Sequence, residues 1–182
     1  MKNVICACLF FCGVIAAVAV SSVFAQGTSP GLAKELVADW ERATAGILEV
    51  AEAMPEERYD FKPTPDMPTF GEQLVHVAGV VQRYMDAAKG TKSEAGQPHK
   101  AMPKAEVIRL VKETSQAGKE MIVPLTDAQL VEQVKLPVGD RMVTRYRFWT
   151  GPLQQFAYHH GQAVIYLRLN GIVPPATARR AR

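Results

Sequence analysis

Four histidines follow residue 25, and any chemistry of this chain has to be built around them: His76, His99, His159 and His160. His76 stands in Glu72-Gln73-Leu74-Val75-His76-Val77, and His159 in Gln155-Phe156-Ala157-Tyr158-His159-His160-Gly161-Gln162. Both stretches read as helix. Positions four apart on a helix share a face, so Gln155 and His159 project the same way. His159 and His160 sit about 100° apart around the axis and cannot comfortably hold one ion together. Neutral imidazole serves as metal ligand, general base or hydrogen-bond partner. His76 therefore reads either as a ligand or as a helix-face histidine bonded to a neighbour. His99 falls in a polar stretch and reads as a solvent-exposed loop residue. All three cysteines (Cys6, Cys8, Cys12) lie in the apolar N-terminal segment. The rest of the chain thus has no thiol nucleophile, no disulfide and no thiolate ligand. No Ser-His-Asp spacing, phosphate-cradling glycine loop or paired-carboxylate motif is evident.

That N-terminal segment reads as a signal peptide. Lys2 supplies the positive start, Val4 to Val20 is almost wholly apolar, and Val23-Phe24-Ala25 presents the residues a signal peptidase reads. Cleavage is expected after Ala25, which makes residues 1–25 the leader and the compartment periplasmic or secreted. An uncleaved anchor is the rival reading, although the run is marginal against the ~20 apolar residues a span needs. Contact with a membrane is expected only through this segment before cleavage. Lys2 is the leader's only charged residue, so the net charge falls from +3 to +2 on removal. Such a balance gives no electrostatic case for nucleic acid, which needs a concentrated basic face. Arg179-Arg180-Ala181-Arg182 is locally basic but follows Pro174-Pro175, and residues 176–182 read as a solvated tail.

The elements that would position the histidines are four amphipathic helices. After a flexible leader over 26–31, Leu36, Trp40, Ala43, Ile47 and Val50 recur at three- and four-residue steps until Pro55. Glu56 to Pro68 carries prolines and reads as an extended connection. Thr69 with Glu72 makes a capping box for a second helix with Leu74, Val77, Val81 and Tyr84 on its stripe, stopped by Gly90. A polar loop, Thr91 to Met102, leads to a third helix from Pro103 to Pro124, with Val107, Leu110, Val111, Thr114 and Met121 down one side. Leu125 to Thr144 reads as a short hairpin or irregular excursion: Val134, Leu136 and Val138 alternate, and Gly139-Asp140 offers a turn. The last helix runs from about Tyr146 to Leu169 and is closed by Asn170-Gly171. The expected fold is all-α, one antiparallel four-helix bundle over residues 32–175. Trp40 and Trp149 read as core or rim anchors, and Tyr158 and Tyr166 as core residues with a hydroxyl at the edge.

The run His159-His160-Gly161-Gln162-Ala163-Val164-Ile165-Tyr166-Leu167-Arg168-Leu169-Asn170-Gly171-Ile172-Val173-Pro174-Pro175 resembles the last-helix motif of the DinB-like superfamily. That motif has a His, three residues, a second His, one variable residue, then Gly-Gln and a Tyr-Leu-Arg close to Gly and Pro-Pro. Thr69, Phe70, Glu72, Leu74 and His76-Val77-Ala78 resemble the family's second helix. The resemblance implies an antiparallel bundle with a three-histidine site for a divalent metal such as zinc or nickel. It also implies thiol-linked transferase or isomerase chemistry, since the characterised branches include thiol S-transferases and a thiol-dependent isomerase. His76 matches the second-helix ligand and His159 the later ligand of the last helix, which makes His159 pocket-facing. The earlier ligand of that helix falls on Gln155, and an amide oxygen is a much weaker partner for zinc or nickel than imidazole nitrogen. His160 takes the variable position and is expected to be partly exposed. Gln162 is expected to bond backbone or a neighbouring helix, and Arg168 to pair with a carboxylate.

The resulting expectation is an exported, divalent-metal-dependent enzyme, transferase- or hydrolase-like, acting on a small molecule that the sequence does not name. Its site would be His76, His159 and Gln155. Two rivals carry no turnover: a ligand-binding protein that has lost the metal, and a stress-associated interaction module pairing through a bundle face, for example as a homodimer.

Overall fold

The computed structural model describes residues 31–93 and 102–181. The signal-peptide and leader expectations, most of the polar loop with His99, and Arg182 fall outside these residues. The described chain runs α1 (Leu32–Ala53), a 3-10 turn (Glu56–Arg58), α2 (Phe70–Ala88), α3 (Lys104–Ile122), α4 (Asp127–Leu130), β1 (Gln133–Lys135), β2 (Met142–Thr144), α5 (Arg145–Leu169) and α6 (Pro175–Arg180). The expected all-α bundle is what forms. Helix α1 packs on α3 and α5, and α2 packs on the same two, so α1 and α2 face each other diagonally, as do α3 and α5.

Each long helix forms for a reason visible in its residues. Thr69 Oγ1 accepts from the Glu72 N–H while a Glu72 carboxylate oxygen accepts from the Thr69 N–H, completing the expected capping box of α2. Thr144 caps α5 by accepting from the Arg147 N–H. The apolar stripes of α1, α2, α3 and α5 meet around Trp40, which is 1% exposed. Trp40 lies edge-on to Trp149 and Phe156, at centroid distances of 6.1 and 5.5 Å, and donates its Nε1–H to the Ser115 carbonyl. Gly118 is what lets α3 approach this indole: a Cβ there would sit 2.6 Å from Trp40 Cζ2.

Between α3 and α5 the excursion resolves into two parts. One turn, α4, is closed by a second capping box of Thr126 and Gln129, which periodicity does not reveal. A two-stranded antiparallel hairpin follows, with Val134 opposite Val143 and Gly139 at φ +74° in its turn. The tail read as solvated is a short helix, α6, whose Arg179 pairs with Glu49 of α1 at 2.8 Å. Among the described residues no helix is long and apolar enough to cross a membrane.

Candidate functional site

Helices α2 and α5 lie side by side in the bundle, and this contact brings the two motif histidines together. His76 projects from an exposed position of α2, whereas His159 is 8% exposed on α5. Their ring centroids are 4.9 Å apart with planes inclined by 52°. Gln155, one turn before His159, is half-buried on the same side of α5, and its side chain makes no hydrogen bond among the described residues. The structure therefore joins two of the three expected positions and leaves the third beside them.

What holds His159 in place is a chain of buried polar groups. Its Nδ1 bonds Gln73 Oε1, Gln73 Nε2 donates to the Tyr166 hydroxyl at 3.4 Å, and that hydroxyl donates to the Pro68 carbonyl at 2.8 Å. The direction of the chain follows from its last member. A carbonyl can only accept, so Tyr166 donates to it and keeps a lone pair for the Gln73 amide N–H. The Gln73 carbonyl oxygen then has to accept from His159, which places the ring proton on Nδ1 and the lone pair on Nε2. A histidine tied at one nitrogen to a fixed acceptor keeps a lone pair on the other, as metal-ligating histidines do.

Electrostatics keep that lone pair available. Burial, and then the neighbouring charge of His76, lower the His159 pKa from 6.5 to about 4, so the ring is neutral at neutral pH. Nearby Gln162 offsets part of this by favouring the protonated form. Its Oε1 is buried without a hydrogen-bond partner, so the expected bond to backbone or to another helix is not made by that oxygen.

Two imidazoles bound at ~2.0–2.1 Å put their centroids about 4.5–5.2 Å apart for ligand angles of roughly 90–109°, and the observed spacing falls in that interval. At this spacing His76 and His159 are the two residues that would hold a divalent cation. Among the described residues no third His, Cys, Asp or Glu joins them, so the site would be completed by an amide oxygen or solvent.

The remaining candidates are placed as follows. His160 turns away from the pair and packs against α1, where a Cβ on Gly46 would lie 3.6 Å from its Cδ2. Burial lowers its pKa, and Glu49 counters the effect. Tyr166 is buried, as read, but Tyr158 is 62% exposed and forms the rim beside His159 rather than core. Arg168 is exposed and takes part in no ion pair among the described residues. Gln73 escaped the sequence reading, though its signal is there: a polar residue at an inward position of α2, between Phe70 and Leu74. A cleft of about 870 Å³ lies between α1 and α3, across the bundle from the histidine pair. No histidine lines it.

A family model described as DinB superfamily matches residues 39–162. No curated protein matches the chain. Among solved structures, a DinB-like protein from Bacillus cereus superposes with a TM-score of 0.67 at 14% identity, covering 78% of this chain and 95% of the other. A DinB-like protein from Bacillus subtilis gives 0.61 at 17% identity, over 75% and 92% of the two chains. A protein from Streptococcus pneumoniae gives 0.60 at 16% identity, over 78% and 92%. At these identities the likeness is one of fold.

Proposed function

This chain belongs to the DinB superfamily, and on that premise we propose that it is an exported bundle protein whose α2–α5 pocket binds a divalent cation, with an affinity reduced by Gln155, and acts on a small molecule. The observation that carries this reading is the pairing of His76 and His159 at 4.9 Å, with His159 tied through Nδ1 to Gln73. His76 and His159 would hold the cation, and Gln155 would offer a weak third donor. A bound divalent cation supplies Lewis acidity, polarising a thiol, water or carbonyl at the open positions. The chain's own contribution is to present His159 neutral and in one tautomer, and to place Tyr158 at the rim beside it. Export is supported by Lys2, the apolar run Val4–Val20 and Val23-Phe24-Ala25. A low-molecular-weight thiol is less available outside the cytoplasm, which favours hydrolase-like over thiol-transfer chemistry.

Metal analysis of the untagged protein, followed by calorimetric titration with zinc and nickel, tests the reading. Saturable binding at one site, lost in His159→Ala, is the expected result. A protein that takes up neither ion and whose melting ignores chelator would sink it. The rival reading, a ligand-binding pocket without metal, would then hold, and the unpartnered Gln162 Oε1 is the observation in its favour.

A further inference from the structure

The cleft of about 870 Å³ between α1 and α3 contains two hydroxyls that bond to nothing. Small side chains leave it open: Thr44 and Ala45 on α1, Ser115 and Ala117 on α3. Glu41 pairs with Lys119 at 3.2 Å, and Lys104 Nζ donates to the carbonyls of Glu52 and Met54. The two helices therefore run antiparallel, in a register that sets Thr44 level with Ser115 and Leu48 level with Lys112. Ser115 is 2% exposed, and neither its Oγ nor Thr44 Oγ1 has a hydrogen-bond partner although both oxygens are buried. Leaving a buried hydroxyl unbonded is costly, and folded proteins do so rarely.

The charged groups around the cleft are not equally occupied. Arg109 pairs with Glu113, Lys119 pairs with Glu41, and Glu120 accepts from the Gln116 amide. Lys112 lines the same cleft and has neither an ion pair nor a hydrogen bond among the described residues. It stands three residues from Ser115, about 4.5 Å along the α3 axis, a rise that a lysine side chain spans. Two idle hydroxyls and one idle ammonium thus converge on the level of Thr44 to Leu48. Beside them the wall is apolar, formed by Trp40, Ala45 and Leu48.

We propose that this cleft is a second binding site, and that its ligand is a small organic monocarboxylate with an apolar body. An ionised carboxylate only accepts, and its two oxygens offer about four lone-pair sites, enough for both hydroxyls and the Lys112 ammonium. Thr44 is half-buried while its oxygen is covered, so the rest of the side chain meets the cleft. A helical threonine has two open χ1 wells, and rotation between them brings the hydroxyl to the ligand. The apolar body then lies against Leu48, Ala45 and the Trp40 edge. Glu41, Glu113 and Glu120 around the rim repel a second negative charge, which selects a monoanion over a phosphate or a dicarboxylate. A cleft of this volume falls in the range of small-molecule sites, roughly 300–1,000 Å³. The site lies across the bundle from His76 and His159, does not rest on the cation, and is tested without one.

The probes are 4-phenylbutyrate and its neutral amide, 4-phenylbutyramide, titrated calorimetrically into the whole protein with chelator present. The carboxylate should saturate one site per chain and bind roughly tenfold or more tighter than the amide, the scale of a hydrogen bond to a charged group. Lys112→Gln should abolish that preference. Ser115→Ala and Thr44→Val should each weaken the carboxylate by a similar factor. Without ligand, both variants should melt at the natural temperature or above it, because each removes a buried hydroxyl that has no partner to lose. His159→Ala should bind the carboxylate as the natural protein does. Absence of saturable binding, equal affinity for carboxylate and amide, or a Lys112→Gln protein that still prefers the carboxylate would overturn the proposal. So would a lowered melting temperature in both hydroxyl variants, which would show the hydroxyls to be bonded within the fold. Loss of the carboxylate in His159→Ala would place the probe at the histidine pair and remove the second site.

Discussion

His159 is held at Nδ1 and carries its lone pair on Nε2, and two expectations at the scale of single residues follow from the surroundings of this ring. The first concerns Gln155, which shares the His159 side of α5 without bonding anything among the described residues. Gln155→His should raise zinc and nickel affinity strongly, because imidazoles four apart on a helix form a two-point chelate that His76 closes from α2. With free metal at one hundred times the dissociation constant, the substituted protein should gain about 2.7 kcal/mol of stability, read as a thermal shift that the natural protein shows less of. Absence of both gains would mean that the three positions do not converge. The second is a pH dependence. The folded His159 pKa, about 4, lies below its ordinary 6.5. Between those values the unfolded chain takes up a proton that the folded chain refuses. Stability is therefore full above pH 6.5 and declines on acidification toward 4, by roughly 1.4 kcal/mol per pH unit at most. Urea titrations of chelator-treated protein should show this slope, and His159→Gln should flatten it. The motif residues made the pair legible in sequence. Gln73 was not, because its role depends on a helix brought alongside from 86 positions away.

Among the elements, two contacts decide whether the site is built. Tyr166 links α5 to the Pro68 carbonyl at the entrance to α2, and it orients Gln73 at the same time. Tyr166→Phe takes the hydroxyl from the buried Gln73 amide and from the part-buried Pro68 carbonyl, and should cost about 1–3 kcal/mol in urea unfolding. Gln73→Leu frees the His159 ring and should weaken cation binding roughly 10–100-fold, as loss of an orienting partner does elsewhere. Gly118→Ala should destabilise by about 1–3 kcal/mol, since the added methyl would lie 2.6 Å from the buried Trp40 indole, a rigid ring held by its Nε1–H bond to the Ser115 carbonyl. Helix starts were readable where a cap is local, as with Thr69 and Glu72. The single turn α4 was not, although Thr126 and Gln129 form the same kind of cap, because four residues give no periodicity to detect. Tyr158 was misjudged for another reason: the amphipathic pattern of α5 is blurred by its apolar outer stripe, so spacing alone does not say which face is buried.

For the whole molecule, the proposed leader would have the largest consequence for where the pocket works. Intact mass of the exported protein should begin at Gln26 or a close neighbour, and a mass that retains Met1 to Ala25 would leave the anchor reading in its place. The all-α bundle follows from four periodic segments and their stops, whereas the order in which the helices surround one another had to be seen. That order carries a consequence in time. The pocket draws one wall from α2 and the other from the last long helix, so a growing chain has no site until nearly its entire length has been made and α5 has docked. Under the proposed export and cation binding, a nascent or translocating chain would pass through its early life as an incomplete receptor, unable to capture a cation from the compartment that synthesised it. The ion it finally holds would be chosen by the place where folding ends.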